Sequence, residues 1–267
     1  RVVPDRPVFL TRKDGHSAWV NSRTLELAQI DDQTPDPPGG TIQREKKKAT
    51  GILLETALDL VRKILPEETQ EERLSALQAA ITEAHSYGMA GVHIPPTLHP
   101  GDGAHTLTDL QLLRERGQLR LRCLSHIGLD NFEDALRMGI RSGLGDRWLR
   151  IGALKLFADG SLGSETAEML SHYEGRRHLG SQTIGTEELN DLVLQANRSG
   201  IAVIIHAIGD AANRRVLDAI ERAQRMLSET DPNALEVESK PPKLALPNRI
   251  EHCQVLHPRD IPRFAQL

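Results

Sequence analysis

Three apolar runs in this 267-residue sequence each carry a residue able to hold a metal ion. The first leads from Ile151 through Lys155 to Asp159-Gly160, the second from Ile201 through His206 to Gly209-Asp210, and the third is Arg249-Ile250-Glu251-His252-Cys253. Lys155 and His206 are 51 residues apart, His206 and His252 are 46 apart, and each interval is about one strand–helix unit plus a loop. An imidazole after four apolar residues is as readily a hydrogen-bonded core group as a ligand, because a buried polar atom needs a partner either way. A lysine among Leu154, Leu156 and Phe157 either reaches water or has a special task, since buried lysine is rare unless paired or modified. The series carries the argument. In a (β/α)8 barrel successive strand ends adjoin at the C-terminal face, so three such residues would converge on one pocket.

The elements that would position them follow a rhythm from Thr69 onward. Thr69-x-x-Glu72 is a capping box before Leu74, Leu77, Ile81 and Ala84 at helical spacing, with Gly88 as the stop. Strands are expected at 90–94, 119–123, 148–157, 201–205 and 249–256, and helices near 108–115, 131–139, 187–197 and 211–226. A last helix is expected to open at Pro258. Alternating strands and helices imply a parallel sheet with right-handed crossovers. No strand is followed by G-x-G-x-x-G or G-x-x-x-x-G-K-[ST], which removes the main support for a nucleotide-binding sheet. Before this rhythm, Val8-Phe9-Leu10 is a short strand, Ser22 caps a helix through Ile30, and Thr41-Ile42 with Gly51–Leu54 form a hairpin whose tip is the charged run Arg44–Lys48. Segment 229–247 reads as a polar loop insertion. The expected division is an insertion segment, 1–60, and a barrel segment, 61–267.

Composition narrows the partners. A formal charge of −4 and 3% aromatic residues leave no polyanion-binding patch and few stacking platforms, so nucleic acid is not an expected partner. The longest apolar stretch, around Ile201–Ile208, is far too short to span a bilayer, so no membrane partner is expected. Cys123 and Cys253 are expected to be reduced thiols. No signal peptide is visible and the sequence opens on Arg1 rather than Met, as an internal fragment would; the expected setting is cytoplasmic.

The series resembles the metal-dependent amidohydrolase superfamily, in the branch of N-substituted formamide deformylases and exoenzyme-like proteins. Lys155–Ser164 with Thr166-Ala167, His206–Asp210 with Asn213, and Arg249–His252 carry the resemblance. Asp14-Gly15-His16 with Ala18–Asn21, Pro37–Gly40 and Gly51–Glu55 extend it over nearly the whole chain. It implies a carbamate on Lys155 bridging two divalent metals, most simply zinc, with His206 and His252 as imidazole ligands. It implies hydrolysis of an amide or other C–N bond, N-formyl or N-acyl in type, in a small-molecule substrate. His16, in an insertion that covers the active site in the family, would line the substrate pocket, and Asp159 would contact substrate or orient a ligand. The resemblance also implies a His-x-His pair on the first barrel strand and an Asp on the eighth, and the sequence contains no His-x-His.

The expected fold is therefore α/β, a partial (β/α)8 TIM barrel of about strands 2–6 with an N-terminal insertion segment, whose general base lies outside this chain. Metal binding by one or two divalent ions would be weak, and activity of the chain alone low. Open sheet edges invite pairing, as a homodimer or with another chain supplying the missing parts. Two alternatives stand beside the hydrolase reading: a Schiff-base lysine at Lys155, which leaves both histidines unexplained, and a catalytically inactive truncated barrel or binding protein. Asp210 is expected to cap the helix from Ala211. Glu251 is expected to point away from whatever His252 faces, and His126 is assigned a surface or structural place.

Overall fold

The computed structural model describes residues 3–13, 15, 17–66, 68–96, 105–228 and 243–267. The chain forms two compact units, Arg1–Glu72 and Arg73–Leu267. Among the described residues no helix is long and apolar enough to cross a membrane.

The first unit is an antiparallel sheet in the order β1 (Phe9–Thr11), β2 (Ser17–Val20), β4 (Lys48–Glu55), β3 (Gly40–Glu45). Alternation buries one face: Ala18, Val20, Ile42 and Leu53 pack with Ala57, Leu58 and Val61 of the following turn and the short helix α2 (Asp59–Arg62). The expected hairpin is present, its tip tightened to Lys46-Lys47 at φ 49 and 68. Helix α1 (Ser22–Leu27) is capped by Asn21 rather than Ser22. The Asn21 Oδ1 accepts from Thr24 N at 3.0 Å and Val8 N at 3.1 Å, a bridge a shorter serine would not span. The helix stops short of Ile30 because Gln29 takes a positive φ of 54.

The second unit is a curled parallel sheet of five strands, ordered as in the sequence: β5 (Gly91–Ile94), β6 (Arg122–Ile127), β7 (Leu149–Phe157), β8 (Val203–Ala207) and β9 (Arg249–His252). Its helices are α3 (Gln70–Ser86), α4 (Thr106–Glu115), α5 (Phe132–Arg137), α6 (Thr186–Arg198) and α7 (Asp210–Ser228). The capping box at the start of α3 is reciprocal: Thr69 N donates to Glu72 Oε2 at 2.8 Å, and Glu72 N donates to Thr69 Oγ1 at 3.3 Å. On the outer face Val203, Ile205 and Ala207 of β8 pack with Leu189, Val193 and Ala196 of α6 and Val216, Ala219 and Ile220 of α7. Both helices show the three- and four-residue spacing of a core-facing stripe. Ala153, Ala202 and Ile204 form a separate apolar layer on the opposite, concave face.

Three expectations shift. Strand β6 runs 122–127 rather than 119–123: Leu119 and Leu121 are buried, but in the approach to the strand. The final helix is a 3-10 turn at Ile261–Ala265, not one opened by Pro258, and β9 ends at His252. Both cysteines are free thiols. Most of the loop expected at 229–247 lies outside the described residues; its end, 243–247, has no helix or strand.

Candidate active site

Lys155 owes its direction to a β-bulge. Ser125 of β6 pairs with Ile151 of β7, and Ile127 pairs with Leu154, so His126 alone faces the two residues Gly152 and Ala153. An extra residue reverses the side that each later side chain takes. Before the bulge Leu149 packs in the apolar cluster beneath α4; after it Leu154 and Leu156 pack toward α6 and α7. With regular alternation Lys155 would point into the helices. Instead it lies on the concave face, 6% exposed, its Nζ 4.4 Å from the centre of the Phe157 ring. Burial pushes its amine down to about 8.

The parallel register aligns Phe157, His206 and Glu251 across β7, β8 and β9. His206 Nε2 is 2.8 Å from the Gly160 carbonyl and 3.4 Å from Asp159 Oδ1. A carbonyl only accepts, so Nε2 carries the proton and Nδ1 keeps the lone pair. Burial lowers the pKa of this ring against the opposing Gly160 hydrogen bond, leaving the neutral imidazole that ligation requires.

His252 pairs in register with Ala207, whose side chain is buried among the helices. Regular geometry would send its ring the same way. A φ of 74 at His252 and 48 at Cys253 breaks the alternation, and the imidazole meets His206 edge-on with ring centres 4.6 Å apart. Such non-glycine conformations cost on the order of 1–3 kcal/mol each and persist where surrounding structure holds them. Here the Cys253 amide donates to the Ala207 carbonyl at 3.1 Å and the Val255 amide to the Ile208 carbonyl at 2.9 Å. Glu251 consequently does not face away from the His252 ring. It shares the His206 level, paired with Arg249 at 2.5 Å.

Asp159 is fully buried and held by backbone amides. Its side chain has 0% exposure, and its carboxylate accepts from the amides of Ile208 (3.0 Å), Gly209 (2.8 Å) and Glu168 (2.9 Å). It ties the end of β7 to the end of β8 and stands beside His206, with Oδ1 3.4 Å from Nε2. Asp210 accepts from the Leu170 amide at 2.8 Å, pinning the same segment rather than capping α7. Sequence reasoning missed the next layer: Glu168 pairs with Arg215 at 2.8 Å, and Arg215 donates to the carbonyls of Ala158 and Ile184. The only sequence signal was an arginine facing inward from the apolar stripe of α7. His16 lies outside the described residues.

The donor set fits part of a metal centre. The His206 and His252 rings meet edge-on, and a buried amine lies on the neighbouring strand; among the described residues no group of three or more His, Cys, Asp or Glu is placed to hold an ion.

A curled parallel βα sheet with its polar groups gathered at the carboxyl ends of the strands defines a barrel-type α/β protein. Its family follows from comparison: the amidohydrolase family model matches residues 1–267, and the chain belongs to that family. It is 33% identical to the inferred amidohydrolase YtcJ of Bacillus subtilis over all of this chain and 47% of that protein. It is 30% identical to an N-substituted formamide deformylase of Arthrobacter pascens over 84% of this chain and 42% of the other. An uncharacterised metal-dependent hydrolase of Pyrococcus horikoshii superposes with a TM-score of 0.71 at 27% identity, covering 98% of this chain and 47% of that structure. The chain spans about half the length of the curated relatives it matches.

Proposed function

We propose that this chain carries half of the active site of a metal-dependent hydrolase of C–N bonds, with N-formyl or N-acyl amides as the substrate class. The observation that supports the reading most directly is the contact between the His206 and His252 rings, obtained at the expense of a strained backbone. Family membership and the metal-dependent structural neighbour point the same way. In this reading the sheet is barrel strands 2–6, and Lys155, as its carbamate, would hold one or two divalent ions together with His206 and His252. Zinc suits nitrogen and oxygen donors of this kind. When bound, such an ion supplies Lewis acidity, lowering the pKa of water and polarising a carbonyl. The chain's own residues orient that chemistry. Gly160 fixes the His206 tautomer, and Asp159 locks the two loops that carry it. Lys155, held at about 8, is a neutral amine far more often than a solvated lysine, and only the neutral amine adds CO2. The His-x-His pair and the Asp general base would come from residues other than these.

Zinc competition with a chromophoric chelator tests the site. In bicarbonate buffer the chain should bind zinc weakly, and His206→Ala and His252→Ala should each abolish binding. With 13C-bicarbonate a carbamate carbon resonance should appear and vanish in Lys155→Ala. Equal zinc binding by the parent and both histidine variants would sink the assignment.

A further inference from the structure

The bulge frees a backbone donor as well as turning Lys155. In a regular parallel ladder the Ala153 N–H would be taken by a neighbouring strand. Here it donates to His126 Nδ1 at 2.9 Å. Gly152 makes room, since a Cβ there would stand 2.3 Å from the same Nδ1. Because an amide only donates, Nδ1 must carry the lone pair and the proton of the neutral ring sits on Nε2. That Nε2 lies 3.1 Å from His93 Nδ1, with the rings stacked at 5.2 Å. His93 Nδ1 is therefore an acceptor, and its own proton is on Nε2, for which no partner is present among the described residues. Burial keeps both rings neutral, pushing His126 to about 4 and lowering His93.

The pair lies on the same side of the sheet as Lys155. His93 aligns with Leu124, two residues before His126 on one side of β6. β5 and β9 are opposite edges of the sheet, roughly 19 Å apart if it were flat. Yet Arg249 and Glu251 act electrostatically on His93, on His126 and on Lys155 alike, as groups on one concave face do. His126 and Lys155 also share the wall of a cavity of about 840 Å3.

We propose that His93 and His126 form a substrate-positioning pair, in which His126 fixes the tautomer and His93 presents its Nε2–H to a carbonyl or carboxylate oxygen of the ligand. The ligand's identity as an amide rests on the hydrolase reading; the donor does not. A site that can only donate at this point selects an acceptor oxygen and disfavours a protonated amine.

Long-range 1H–15N correlation on metal-free chain labelled at histidine reads the tautomers directly. His93 and His126 should both be neutral with the proton on Nε2. Acetamide and acetate, as neutral and anionic oxygen probes, should shift the His93 Nε2 resonance saturably. His93→Leu, followed at the His126 ring, should weaken both probes about tenfold, and His93→Gln, whose amide still donates, should restore them. A His93 proton on Nδ1, or probe affinities unchanged in His93→Leu, would overturn the pair. Since no metal is present, failure of zinc binding leaves this result standing. A zinc-binding chain with the other His93 tautomer would overturn the pair alone.

Discussion

Asp159→Asn should destabilise the second unit severely although it changes one atom. The carboxylate accepts from three buried amides, one through Oδ1 and two through Oδ2. An Asn side chain has one accepting oxygen, and its NH2 must then face either Ile208 N–H or the Gly209 and Glu168 pair. At least one buried donor meets another donor, and the remaining bonds lose their charge assistance. At about 1–3 kcal/mol per buried group left unsatisfied, the loss is about 2–4 kcal/mol. That is a large part of the roughly 5–15 kcal/mol that stabilises a typical domain. The assay is urea unfolding followed by the fluorescence of Trp148, in a Trp19→Phe background so that only the second unit reports. With a slope of about 1–3 kcal/mol per molar urea, the midpoint should fall by about 1–2 M. A midpoint within about 0.2 M of the parent at unchanged slope would refute the account of Asp159 as the lock between the two loops.

The remaining expectations concern charge, space and the hairpin. Lys155 titrates at about 8 in the fold against 10.5 when free, so the unfolded chain binds the extra proton between those values and stability rises with pH across that window. Below it the charged amine destabilises the metal-free fold by about 3 kcal/mol, and Lys155→Met should remove both the penalty and the slope; urea midpoints at about pH 7 and 10 that do not differ in the parent would contradict this. Gly209→Ala places a Cβ 1.9 Å from the Glu168 carbonyl oxygen, whereas Gly163→Ala meets nothing within 4 Å. Thermal unfolding should show a loss of more than about 2 kcal/mol for the first and under about 0.5 for the second, and equal effects would mean the loop yields freely. Lys46→Asn with Lys47→Gly suits the positive φ at the hairpin tip and should stabilise the first unit by about 0.5–1 kcal/mol in denaturant titration; a loss would mean that the lysines make contacts that matter more.

The alternation of strands and helices was legible because the outer-face residues of β8, α6 and α7 follow the periods of 2 and 3.6 without interruption. The curled α/β half-barrel and family membership came from the same patterns and the motifs on them. β6 was misplaced because Leu119, Leu121 and Cys123 alternate like a strand, while the true strand contains Ser125 and His126, whose polarity is satisfied only by the neighbouring bulge and His93. The bulge itself left no readable mark beyond Gly152, since a glycine in a strand has many causes. The strained turn at His252 was equally hidden. Regular alternation predicts that Glu251 and His252 diverge, and only the positive φ brings them to one level. Asp159 was noticed, but its three amide partners come from segments 9 to 50 residues away and no local pattern announces them.

The bulge in β7 also sets a rule of counting. Turns and surface loops absorb added or lost residues, so segments upstream of Ile151 can change length without moving the amine. Between Ile151 and Leu154 they cannot. Removing one residue there would keep every chemically active side chain in the sequence, yet exchange Lys155 and Phe157 with Leu154 and Leu156 across the sheet. The position of the amine is thus stored as the parity of a number, not in the identity of a residue. An alignment that admits a single gap at this point would match all the expected letters and still describe a protein without the site.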